Sequence, residues 1–249
     1  MTIVFTAKLE AKTWKKIINA TAAVIEEVSI EVKPDGLEFT AMDPSHISML
    51  YCFMPKGSFT EYSITEKHFT LGIDVDEVRK IMNRSKPDEI LTMKASEDKI
   101  ILEFSKTDEE SVRRFSFSQI DVQLGEKYVV PHLETTSTIR LPAYMFDDAI
   151  KDVRLMSNVI TFESDPDVFS VSGDGDSGDI LIEIKEWLEY DVQQKSKCSF
   201  NITYLTDISK ILEDEVTIEL GSDIPVKLIF ALGGAEFLFI LAPRVDKEE

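Results

Sequence analysis

Two stretches decide the fold: Asp74-Val75-Asp76-Glu77-Val78-Arg79-Lys80-Ile81-Met82-Asn83 and Tyr204-Leu205-Thr206-Asp207-Ile208-Ser209-Lys210-Ile211-Leu212. In the first, Val75, Val78 and Met82 recur at helical spacing; in the second, Leu205, Ile208 and Leu212 do the same. Each is a short amphipathic helix with one apolar stripe for packing on a sheet. Laid over one another at an offset of 130, Val75, Val78, Lys80 and Ile81 fall on Leu205, Ile208, Lys210 and Ile211. The same offset carries Ile30 and Val32 onto Ile160 and Phe162. Similarity at a fixed distance marks an internal duplication.

Working outward, two more helices stand earlier, one in each copy. One lies near residues 11–23, with Trp14, Ile17, Ile18 and Thr21 on its stripe; the other covers 142–156, with Phe146, Ala149, Ile150 and Val153. Pro142 suits a first helical turn. Nearly everything else alternates with period two and reads as strand. The strands are expected at 2–9, 28–32, 37–41, 47–53, 69–73, 90–93, 100–104 and 112–117. In the second copy they are expected at 138–141, 159–162, 168–171, 180–184, 198–202, 216–220, 226–232 and 237–241. Pro34-Asp35-Gly36, Asp165-Pro166-Asp167 and Gly233-Gly234 supply turns between them. The order strand, helix, several strands, helix, several strands occurs twice. The expected class is α+β, with similar domains at 1–119 and 135–249. Residues 120–134, with Gly125, Pro131 and no clear period, form a connector.

With 249 residues and 43% apolar content, the chain builds its core without metal or disulfide staples. Cys52 and Cys198 lie in apolar runs and read as small buried hydrophobes. No signal-peptide core opens the chain, and no run approaches the roughly 18 apolar residues of a membrane span. A cytoplasmic or nuclear setting is expected, with no membrane partner. The formal net charge is −19, which read naively argues against nucleic acid. What matters is where the 27 Lys and Arg residues gather. Opposite the apolar stripes stand Lys12, Lys15 and Lys16, then Arg79, Lys80 and Arg84, then Lys151 and Arg154, then Lys210. Glu77, Asp147, Asp148, Asp152 and Asp207 interrupt them, and no aromatic side chain interleaves with them as a stacking platform requires. The expected contact with double-stranded DNA is phosphate-directed, independent of sequence and salt-sensitive.

Several motifs then resemble one family along the whole chain. Ala41-Met42-Asp43-Pro44-Ser45-His46-Ile47 is similar to the segment preceding the front-face pocket of DNA sliding clamps of the proliferating cell nuclear antigen family. Leu241-Ala242-Pro243-Arg244-Val245 resembles their closing motif; Lys15-Lys16, Leu71-Gly72-Ile73-Asp74 and Phe200-Asn201-Ile202-Thr203-Tyr204-Leu205 resemble their first, second and fourth helical regions. Pro44 after Met42-Asp43 leans toward the archaeal members. The connector, 123–131, is related only loosely.

The resemblance implies two domains of the DNA-clamp fold per chain, each with antiparallel sheets and two helices, and three chains joined head to tail into a closed ring. Helices would line the hole, with Lys15, Lys16, Lys80, Arg84, Lys151, Arg154 and Lys210 facing DNA. The joint would pair two edge strands carrying Arg113, Phe115 and Phe117 on one side and Ile180 and Ile182 on the other. A pocket formed by Met42, His46, Ile47, Leu124, Pro225 and Ile240 would take short peptides ending in paired aromatics. Ala242, Pro243 and Arg244 would give it a main-chain edge. DNA polymerase, the clamp loader, flap endonuclease and DNA ligase are the implied clients, and the implied role is a processivity factor and docking platform. Catalytic motifs are not expected: no Gly-x-x-x-x-Gly-Lys cradle or Gly-x-Ser-x-Gly elbow occurs, and His46, His68 and His132 stand apart. Asp174-Gly175-Asp176-Ser177-Gly178-Asp179 hints at a calcium loop, but Lys185 stands where the loop's closing Glu belongs, so it reads as a charged turn. No cofactor or metal is expected. The competing reading is an acidic protein of duplicated domains with an enzymatic or ion-binding role and no ring.

Overall fold

The computed structural model describes residues 2–106, 110–121 and 128–244. Its first half runs β1 (Phe5–Glu10), α1 (Ala11–Ala22), β2 (Glu27–Lys33), β3 (Gly36–Met42), β4 (Ser48–Pro55), β5 (Glu61–Ile64), β6 (Phe69–Asp74), α2 (Val75–Met82), β7 (Ile90–Ala95), β8 (Lys99–Ser105) and β9 (Val112–Ser118). The second runs β10 (Ser137–Pro142), α3 (Ala143–Met156), β11 (Val159–Asp165), β12 (Val168–Gly175), β13 (Gly178–Ile184), β14 (Glu189–Val192), β15 (Ser196–Asn201), α4 (Ile202–Ser209), β16 (Glu215–Leu220), β17 (Val226–Leu232) and β18 (Ala235–Leu241).

Two compact units result. The first holds Met1–Met42, Tyr51–Val129 and Leu232–Phe237; the second holds Asp43–Leu50, Val130–Ala231 and Leu238–Glu249. The units are therefore not plain halves of the sequence: β4, β17 and β18 have residues in both. In the first unit a sheet runs β5-β1-β7-β8-β9, antiparallel throughout, and α1 packs beside α2. In the second, one sheet runs β13-β12-β11-β15, β10 lies between β14 and β16, and α3 packs beside α4. Trp14, Ile17 and Ile18 of α1 and Val75, Val78 and Met82 of α2 are buried, as the stripes require. In the second unit Phe162 sits among Phe146, Phe169 and Phe200, with ring centroids 5.5 to 5.9 Å away. Such tilted pairs contribute about 0.5–1.5 kcal/mol each beyond area burial.

The duplication is present in a different register from the one the sequence suggests. Ala11 and Ala143 open α1 and α3, a separation of 132, whereas Val75 and Ile202 open α2 and α4, a separation of 127. Ile30 of β2 accordingly corresponds to Phe162 of β11, not to Ile160. A slip of three residues leaves a helical stripe almost unchanged, and a slip of two leaves a strand's alternation intact. The helix starts settle the matter. Asp74 caps α2 by accepting from Glu77 N at 2.8 Å, and Asn201 caps α4 by accepting from Thr203 N at 3.0 Å. Helix α4 thus begins two residues before Tyr204 and stops short of Lys210, which is its C-cap. Pro142 is likewise the N-cap of α3 and lies outside its first turn. The suspected calcium loop is a hairpin turn, in which Gly175 pairs with Gly178 around Asp176-Ser177. A Cβ at Gly175 would lie 1.8 Å from Met156 O, so glycine lets β12 pass the end of α3.

Candidate functional site

Residues 43–48 form a loop organised by one carboxylate. Asp43 is only 6% exposed. Its Oδ1 accepts from Ile47 N at 2.8 Å, Ser48 N at 2.5 Å and Ser48 Oγ at 3.2 Å, and its Oδ2 accepts from Ser45 N at 3.1 Å. Tyr204 of α4 donates its hydroxyl to the same carboxylate at 3.5 Å. Burial works against the charge on Asp43, but the N–H donors of Ser48, Ile47 and Ser45 and the Ser48 hydroxyl outweigh it and hold the carboxyl below its ordinary range. Burial, and then the Asp43 charge, push the Tyr204 phenol up. His46 N donates to Asp43 O at 2.9 Å, and His46 adopts φ 57, a left-handed conformation that a loop fixed on both sides can hold. The result presents Ile47 on the surface with 39% of its area exposed.

The carboxyl-terminal segment joins this loop by main-chain bonds. Ala242 N donates to Ile47 O at 2.9 Å, and Arg244 N donates to Ser199 O at 2.8 Å. Strand β15 also holds the stretch before Pro225, through Lys197 N to Ser222 Oγ at 3.3 Å and Cys198 Sγ to Ile224 O at 3.6 Å. His46, Ile47, Pro225, Ile240, Ala242, Pro243 and Arg244 therefore all belong to the second unit. Pro225 is half-buried, and Ile240 is buried, so Ile240 offers a floor and not a contact edge. Met42 ends β3 in the first unit, half-buried, and Leu124 lies outside the described residues. The expected main-chain edge needs one correction. Ala242 and Arg244 have already committed their N–H groups and Pro243 has none, so the main chain of residues 242–244 offers a peptide carbonyl oxygens and no donors.

Both expected edge strands are sheet edges. β9 pairs only with β8, and β13 only with β12, among the described strands. Phe115 packs edge-on against Phe104 at 5.8 Å. Arg113, expected at the joint, is engaged inside its own chain. Its Nη2 reaches both oxygens of the buried Glu89 at 2.7 and 2.9 Å and Arg84 O at 3.2 Å, and the guanidinium lies 5.2 Å from the Phe104 ring centre. On β13, Ile180 and Ile182 are half-buried, while Leu181, which the alternation alone does not single out, is 63% exposed.

The basic side chains divide by unit. Lys15, Lys80 and Arg84 make no ion pair among the described residues, while Lys12 pairs with Glu10 at 3.0 Å and Arg79 with Asp76 at 2.7 Å. In the second unit Lys151 bridges to Asp147 and lies 3.8 Å from Asp148, and Asp147 raises the pKa of its ammonium. Lys210 pairs with Asp207 at 3.0 Å, and Arg154 is exposed in the last turn of α3. The sequence suggests no aromatic side chain among these bases. The structure places one there: Tyr144, 65% exposed on α3, lines a polar hollow of about 350 Å³ with Lys210, Asp147 and Asp214.

Residues 4–127 match the family model described as proliferating cell nuclear antigen, N-terminal domain, and residues 129–245 match its C-terminal domain. The chain is 33% identical over 254 residues to a DNA polymerase sliding clamp of Methanococcus maripaludis, covering 97% of this chain and 99% of the relative. It is 29% identical over 245 residues to that of Pyrococcus furiosus, covering 95% and 96%. Among solved structures it is similar to one described as the C-terminal region of FEN-1 bound to A. fulgidus PCNA. There the TM-score is 0.90 at 26% identity, over 98% of this chain and 100% of that one. PCNA from Thermococcus kodakaraensis shares the fold, with a TM-score of 0.90 at 23% identity and coverage of 96% and 100%.

Proposed function

We infer a working assembly from one premise: this chain belongs to the proliferating cell nuclear antigen family, and it is a DNA sliding clamp, a processivity factor and docking platform, not an enzyme. Three copies join head to tail into a ring around duplex DNA, with residues 120–134 as the connector between the domains of each copy. The observation that carries the ring is that β9 in one unit and β13 in the other are both end strands of their sheets among the described strands. An open edge is a row of unsatisfied main-chain donors and acceptors. Pairing β9 of one copy with β13 of the next satisfies both rows, and a head-to-tail joint of suitable rotation closes. A closed ring holds DNA by topology, so its charge contacts need not be strong. Size-exclusion chromatography with light scattering tests this: the expected mass is three times the 28.2 kDa chain. A monomer at micromolar concentration removes the ring.

The loop organised by Asp43, together with Pro225, Ile240 and the 242–244 carbonyls, is the docking site for short peptides ending in paired aromatics. The clients are DNA polymerase, the clamp loader, flap endonuclease and DNA ligase. Ile47 supports this assignment, as an exposed branched side chain on a loop built by five hydrogen bonds to one carboxylate. Ile47→Asp should weaken a labelled aromatic-ended peptide by about 2 kcal/mol or more, roughly 30-fold, with the ring intact. Unchanged affinity would place the site elsewhere. We infer a cytoplasmic location, which the archaeal sliding clamps among its relatives support.

A further inference from the structure

We propose that this clamp grips DNA through its first unit alone, with Lys15, Lys80 and Arg84 as the phosphate contacts, and that the helices of its second unit present DNA with a net negative surface. The inference rests on the ring reading, in which both helix pairs face the duplex. Family membership implies basic helices in general; the division between units comes from this chain's own ion pairs.

Helix α1 carries Lys12, Lys15 and Lys16 and no acid within its span. On α2 the acids Asp76 and Glu77 occupy the first turn, leaving Arg79 and Lys80 toward its end, with Arg84 just beyond. With the flanking Glu10 and Arg84 included, this layer has six cations against three anions, and Lys12 is paired with Glu10 at 3.0 Å. The other layer, α3 and α4 with Lys210, has three cations, Lys151, Arg154 and Lys210, against four anions, Asp147, Asp148, Asp152 and Asp207. The anions are also closely placed. Asp147 is tied to Lys151 and accepts from Ser209 Oγ at 2.8 Å, contacts that hold it in place beside an approaching phosphate. Lys210 is paired one turn back with Asp207. An ion pair closed within 4 Å acts as a dipole at a phosphate one Debye length away, about 8 Å at physiological salt. What a phosphate senses over the second layer is then the unpaired remainder, Asp148 and Asp152 against Arg154. Over the first layer it senses Lys15, Lys80 and Arg84 against Glu77.

The test compares two matched triple variants, each with trimer mass verified by light scattering. Binding of a fluorescent duplex to the clamp is followed by anisotropy across salt concentrations. Deleting one cation that neutralises a phosphate takes about 0.9 off the slope of log K against log salt. Lys15→Ala/Lys80→Ala/Arg84→Ala should flatten the slope by about 2 or more, and Lys151→Ala/Arg154→Ala/Lys210→Ala by less than about 0.5. Asp148→Asn/Asp152→Asn should tighten binding at least threefold. Equal reductions in the two triple variants, or no gain from the asparagines, overturn the division between units while leaving the ring standing. A wild-type trimer with no salt dependence on DNA would overturn the inward-facing helices themselves, and the proposal with them.

Discussion

Replacing Asp43 by alanine should cost the second unit about 3 kcal/mol and should disable the peptide site without breaking the ring. The magnitude follows from who depends on the carboxylate. Ser48 is buried, so its N–H and hydroxyl would lose their acceptor where little water reaches them. A buried donor left unsatisfied costs about 1–3 kcal/mol. Ser45 and Ile47 are exposed, and water can replace the carboxylate at their N–H groups, so each adds only about 0.5–1 kcal/mol. Asp43→Asn keeps one carbonyl acceptor and should cost about half as much. The pH dependence has a definite sign. The folded carboxyl is depressed, so its contribution is fully present above the unfolded value near pH 3.9. It is lost as pH falls through the folded value, and the Asn variant lacks that dependence. Urea unfolding at pH 7, paired with peptide titration, measures both effects. A loss below about 1 kcal/mol in the alanine variant, with peptide affinity unchanged, would refute the claim that this carboxylate builds the loop.

Further outcomes follow from the same contacts. Leu181→Asp should shift the trimer toward monomer, since it puts a charge on an exposed apolar position of the β13 edge; a trimer surviving dilution to nanomolar concentration would exclude β13 from the joint. Phe115→Pro or Ile182→Pro, which remove a main-chain donor from each edge strand, should act the same way. Arg113→Ala should destabilise the first unit by about 1–3 kcal/mol, because Glu89 is 4% exposed and would lose its bidentate partner, a buried-pair cost discounted for the partly exposed Arg113. Full retention of stability would mean that water reaches Glu89.

Much of the fold is legible in the sequence because its apolar pattern is strong and its period unambiguous. All four helices can be placed from their stripes, and β9 and β13 can be recognised as edges from their polar and glycine-rich flanks. Two strands are not legible, β5 and β14. Each is four residues long, Glu61-Tyr62-Ser63-Ile64 and Glu189-Tyr190-Asp191-Val192, and alternates without a buried position. Neither has an apolar signature of its own. Their place is set by pairing with β1 and β10, partners about 50 residues away in the chain. The repeat is visible but its register is not, because periodic patterns tolerate slips of one period. Only the cap residues Asp74 and Asn201 break that degeneracy.

The candidate site is legible as segments and illegible as bonds. Met42 through Ile47 and Ala242 through Arg244 stand out by their type and place. Nothing in a row of letters says that Ala242 spends its N–H on Ile47 O, or that Arg113 turns inward to Glu89. Both facts change what the residue can offer a partner. The same limit explains the charge problem. A net charge of −19 and a run of lysines on helices make contradictory predictions about DNA when each is read alone. They become compatible once each cation is sorted by whether an acid stands within 4 Å of it. Lys151 and Lys210 are then largely neutralised, while Lys15 and Lys80 are not. A clamp must stay on DNA and still move along it. Closure of the ring supplies retention, so charge contact is needed only to centre and steer the duplex. Excess attraction would slow sliding, because every displaced phosphate contact adds to the barrier. On the proposed division, the acids beside Lys151 and Lys210 would keep that barrier low where a uniformly basic lining would raise it.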